Sequence, residues 1–110
     1  MRVELDLFSG RPNPGWTLTA AEGAELEAMT ASLPIMVKPP PRFDGLGYRG
    51  IVVRKPADPG WSLVAFRDTV RVRSEKGSEV RADPDAAVER WLLRKAGDAV
   101  DPDMLARIGY

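Results

Sequence analysis

Apolar and acidic residues alternate through Val3-Glu4-Leu5-Asp6-Leu7, the period-two pattern of a strand with one face buried and the other wet. A glycine- and proline-rich stretch follows, in which Pro14-Gly15 carries the chemistry of a type II turn. Thr19-Ala20-Ala21-Glu22 then reads as a capping box, which predicts a helix over 20–33 with Leu26, Met29 and Leu33 inward and Glu22, Glu25 and Glu27 toward water. Pro34 and the run Pro39-Pro40-Pro41 stop that helix, because proline lacks an amide donor and imposes extended backbone, so 34–47 is a loop.

The β-branched run Tyr48 to Arg54 predicts a second strand. Asp58-Pro59-Gly60-Trp61 repeats the earlier turn chemistry, a third strand covers 61–66, and Thr69 to Arg73 alternates as a fourth. Ser74 to Gly77 forms a hairpin connection to a short strand near 79–81. Asp83 before Pro84 opens a helix over 84–96 that Gly97 closes, with Trp91 anchoring it to the sheet, and Asp101-Pro102 opens a last short helix carrying Leu105 and Ile108. The order specifies an α+β fold: a mostly antiparallel four- to five-stranded sheet with two main helices and a short C-terminal helix on one face. The two Pro-Gly-Trp segments reflect shared turn chemistry, not an internal repeat, since one leads to a capped helix and the other to a strand.

Composition narrows the classes. The 110 residues suit a single globular domain, 1–110, and 44% hydrophobic with 29% charged residues is the balance of a chain that folds alone. Cysteine and histidine are both absent. Disulfides, thiolate nucleophiles and the usual near-neutral base are thereby excluded, and no metal site or cofactor is expected. No long apolar stretch suggests a membrane span or a signal peptide, so a cytoplasmic location is expected. Sixteen basic and sixteen acidic residues cancel. They are unevenly spread, however: residues 1–37 carry a net −3, 38–81 a net +5 and 82–110 a net −2. A balanced total argues against a dedicated nucleic-acid binder while leaving room for a local basic face.

Two stretches stand out as candidate chemistry. Phe8 to Trp16 packs two glycines, two prolines, Arg11, Asn13 and Trp16 into nine residues directly after a strand, a stiff loop able to present planar donors to a carboxylate, phosphate or peptide carbonyl. Gly45-Leu46-Gly47-Tyr48-Arg49-Gly50 has three glycines in six residues, which implies close approach of another backbone or of a ligand. Neither has the spacing of a dinucleotide or phosphate-binding loop. Arg11, Asn13, Trp16, Tyr48 and Arg49 are the expected ligand-binding residues, and no catalytic residue is assigned. The blander account is that Arg11 pairs with Asp6, Asn13 caps the turn, and Trp16 and Tyr48 pack.

A third candidate is a basic stripe of Arg54, Arg67, Arg71, Arg73 and Arg81, which competes with a solvated sheet face paired to Asp68, Glu75 and Glu79. Asp6, Asp44, Asp58 and Ser9 are the groups nearest the turns that suit acid/base or hydroxyl chemistry, with nothing to set their spacing. Asp83-Pro84-Asp85 and Asp101-Pro102-Asp103 fit helix starts better than calcium loops.

Leu7 to Pro14, Gly45 to Gly50 and Glu89-Arg90-Trp91-Leu92-Leu93 resemble a family of small standalone bacterial proteins with no assigned activity. The resemblance implies that the first two motifs act jointly, and it transfers no reaction or ligand. The expectation is a non-catalytic binding or accessory protein holding a small anionic or peptide ligand through loops 8–16 and 45–50, as a monomer or homodimer. A protein-partner binder of inhibitor or immunity type, using a sheet edge or the basic hairpin, is the alternative, and a metal-independent enzyme ranks last.

Overall fold

The computed structural model of the chain describes residues 1–7, 12–37 and 47–110. Ser9, Arg11, Asp44, Gly45 and the Pro39-Pro40-Pro41 run lie outside the described residues.

Six strands, β1 (Arg2–Asp6), β2 (Gly15–Thr17), β3 (Gly50–Lys55), β4 (Asp58–Phe66), β5 (Thr69–Ser74) and β6 (Gly77–Ala82), form one antiparallel sheet in the order β2-β1-β3-β4-β5-β6. Three helices, α1 (Ala20–Ala31), α2 (Ala87–Arg94) and α3 (Pro102–Arg107), complete the α+β fold. Period-two alternation sends Val3, Leu5, Ile51, Val53, Leu63, Ala65 and Val70 to the helix side of the sheet, where each is at most 1% exposed. Leu26 of α1, Val88, Trp91 and Leu92 of α2 and Ile108 just beyond α3 join the same cluster. Fully burying each aliphatic side chain contributes roughly 1.5–3 kcal/mol, which places most of the fold's stability in this one interlayer core.

The strand count exceeds the expected four to five, and the extra strand is instructive. Gly15 does not adopt the positive φ of a type II turn; Gly15–Thr17 instead pairs with β1, with Trp16 opposite Val3. A Cβ on Gly15 would lie 2.5 Å from Nη2 of Arg2, so the missing side chain leaves the space that the guanidinium occupies. Likewise β4 begins at Asp58 rather than Trp61, because Asp58 already pairs with Lys55 across a register shift and the chain reverses at Pro56-Ala57.

Helix boundaries follow their caps. The capping box forms as read: Thr19 Oγ1 accepts from the Glu22 amide at 3.1 Å and Glu22 Oε1 accepts from the Thr19 amide at 2.9 Å. The helix expected over 84–96 is shorter. Pro84–Ala86 is a 3₁₀ turn, and Asp85 and Ala86 both sit in the left-handed region at φ 59° and 52°. That reversal carries the Asp83 carboxylate over the first turn of α2, where both of its oxygens accept from the Val88 amide at 3.1 and 3.0 Å. The last helix starts as expected, with Asp101 accepting from the Met104 amide.

Candidate functional site

Residues 12–14 and 47–49 lie on either side of the C-terminal end of β1. Leu5 N donates to Pro14 O and Leu7 N to Asn13 Oδ1, while Arg49 N donates to Asp6 O. The described parts of the two glycine-punctuated stretches therefore converge at one end of the sheet. Gly50, φ +118°, supplies the close approach that the glycine spacing predicts: a Cβ there would lie 2.9 Å from the Ala65 carbonyl oxygen.

Their side chains turn inward, toward the two acids that β1 carries on the sheet face away from the helices. Asn13 Nδ2 donates to Glu4 Oε1 at 2.9 Å, and Arg49 Nε lies 3.7 Å from Asp6 Oδ1. Trp16 is 7% exposed, and its indole N–H meets no acceptor among the described residues. Tyr48 is 8% exposed and donates its hydroxyl to Glu89. Trp16 and Tyr48 are thus packing residues of the core, and Asn13 and Arg49 hold carboxylates at the rim of the open sheet face.

Tyr48 leads to a cluster that sequence reasoning missed. Glu89 is 0% exposed, and its carboxylate accepts from the hydroxyls of Tyr48 and Tyr110. Burial pushes the Glu89 carboxyl above its ordinary range, opposed by the two hydroxyls and by Arg67. Burial also raises both phenols, reinforced by the neighbouring carboxylate. The Arg67 guanidinium stands 5.8 Å from the Tyr48 ring centroid and 5.2 Å from that of Phe66, and Arg90 covers Tyr110 at 5.1 Å. This is a polar lock joining the start of β3, α2 and residue 110. A glutamate on a helix reads as solvent-facing in sequence, and the only earlier signal was its place beside Trp91 in the Glu89–Leu93 motif.

No family model matches this chain, and searches of curated proteins and of solved structures gave no match.

The sheet face opposite the helices is covered by no described helix. Cross-strand register places Arg2, Arg54, Ser62, Arg73 and Ser78 in one row across it and Glu4, Val52, Val64, Arg71 and Val80 in the next. Among the described residues none of Arg2, Arg54, Arg71 and Arg73 makes an ion pair. Strand spacing puts the Cα atoms of Arg54 and Arg73 about 10 Å apart with small Ser62 between them, and Arg71 about 7 Å from Arg73 along β5. The acids on this face stand at its margins: Glu4 and Asp6 are engaged at one end, and Glu75 lies beside Gly60 at the other.

The basic stripe read from sequence therefore divides. Arg54, Arg71 and Arg73 share the open face and are joined by Arg2. Arg81 points to the helix side, donating to the carbonyls of Leu33 at 2.7 Å and Ala31 at 3.3 Å and pairing with Glu79. Arg67 occupies the β4–β5 turn at φ 56°. Both are tied into the fold. Lys55 and Lys95 are also spoken for, by Glu27 and Trp61 and by Glu22 and Trp91 respectively. Among the described residues no group of three or more potential metal ligands comes together.

Proposed function

We propose that this protein is a non-catalytic binding module that holds an anionic partner on the open face of its sheet. The observation that carries the reading is the set of arginines on that face, Arg2, Arg54, Arg71 and Arg73, which have no ion-pair partner among the described residues. Arg2 stands directly opposite Arg54, with Arg71 and Arg73 beyond the intervening β4; these like charges repel one another, and an arrangement unfavourable in the free protein is relieved by a bound anion. Arginine suits the task because its planar fork pairs bidentately with carboxylate or phosphate. Residues 12–14 and 47–49 stand at the rim of this face, with Asn13 and Arg49 holding Glu4 and Asp6 and so keeping two carboxylates from competing for the arginines.

Titration with tripolyphosphate at low ionic strength, followed by amide shifts, tests the reading. Shifts at Arg54, Ser62, Val64 and Arg73 that vanish in an Arg54→Ser/Arg73→Ser variant are expected, together with steep weakening by salt. A response confined to residues 12–14 and 47–49 would move the site to the loops, and the absence of any local response would end the proposal.

A further inference from the structure

We infer that the anionic partner is a protein, and that it presents an amphipathic helix with carboxylates flanking an apolar stripe; this rests on the open-face reading above. What distinguishes a protein from a nucleic acid is the apolar content of the face. Val52, Val64, Phe66 and Val80 lie on it, each only partly buried, immediately beside the arginines. Phosphodiester backbones gain nothing from covering valines, whereas arginine mixed with apolar side chains is the composition of protein interfaces. Stacking platforms for bases are missing as well. The one aromatic ring on these strands' open face, Phe66, is already packed at 5.7 Å against Tyr48.

Geometry selects a helix. Along β4 the open face reads Ser62, Val64, Phe66, with Arg54 beside it on β3 and Arg71 and Arg73 beside it on β5. A helix about 10 Å across, lying along β4, spans those three strands, which together are about 10 Å wide. Its apolar stripe then rests on Val64 and Phe66, and acids on its two flanks meet Arg54 on one side and Arg71 with Arg73 on the other. The helix side of the same sheet already works this way, since α2 packs its apolar face over β3 and β4. A partner helix would complete a three-layer arrangement around one sheet.

The test uses three fluorescent probes with the full chain: a synthetic helical peptide with a leucine stripe flanked by glutamates, its lysine-flanked counterpart, and a single-stranded oligothymidylate. The glutamate peptide is expected to bind wild type, to lose on the order of tenfold or more in affinity to an Arg54→Glu/Arg73→Glu variant, and to be replaced there by the lysine peptide. Circular dichroism establishes that the variant is folded, and Arg54→Ser/Arg73→Ser provides the uncharged comparison. Glutamate-peptide binding indifferent to both variants would overturn the inference. Arginine-dependent binding of oligothymidylate or tripolyphosphate without the peptide would also overturn it while leaving the anion reading intact. Failure of every probe would remove both.

Discussion

At the scale of single residues, Glu89 is the most consequential group that the chain conceals. Its carboxylate is fully buried between two phenols, and burial raises its proton affinity above the ordinary value of 4.5. A group protonated more readily in the folded than in the unfolded state stabilises the fold most at low pH, and that contribution is lost as pH rises from the unfolded value through the folded one. Urea denaturation of wild type and Glu89→Gln should therefore show wild type losing stability relative to the variant as pH increases above 4.5. A pH-independent difference would remove the titration from Glu89. Tyr48 is 41 residues away in sequence, so no local pattern announces this contact. Asn13 and Arg49, by contrast, stood out from their setting among glycines and prolines. What their sequence could not reveal was that each lies against an acid of β1.

At the scale of elements, local chemistry predicted starts better than extents. The α1 capping box and the Asp101 cap of α3 form as read because both involve contacts within three residues. The start of α2 shows the limit. Asp83 does cap that helix, but from beyond a reversal at Asp85 and Ala86 that no helix-start rule anticipates. Replacing Asp83 by alanine strands the Val88 amide in a buried setting and should lower stability by about 1–2 kcal/mol, read as a fall in urea midpoint with faster hydrogen exchange at Val88. Unchanged exchange there would mean that packing alone holds the turn. The short β2 has no local signature for a related reason: Pro14-Gly15 has turn chemistry, and only pairing with β1 makes Gly15–Thr17 a strand.

At the scale of the whole molecule, the helices cover one face of the sheet and leave the other to strands bearing Arg2, Arg54, Arg71 and Arg73. Residues retained for folding lower stability when removed; these should not. The Arg54→Ser/Arg73→Ser variant should unfold at a urea midpoint equal to or above that of wild type, because mutual repulsion is lost and no ion pair is broken. A clear fall would show that these guanidiniums support the fold.

The chain by itself determined the α+β class, the mostly antiparallel pairing, the caps of α1 and α3 and the absence of thiol and imidazole chemistry. These depend on periodicity, short-range hydrogen bonds and composition, all of which are written within a few residues. The tertiary structure alone decided the sixth strand, the burial of Glu89, the division of the arginines between the two faces and the pairing of Asn13 and Arg49 with Glu4 and Asp6. Each of those depends on which distant residues become neighbours. Such contacts arise only when strands take their register and helices choose a side.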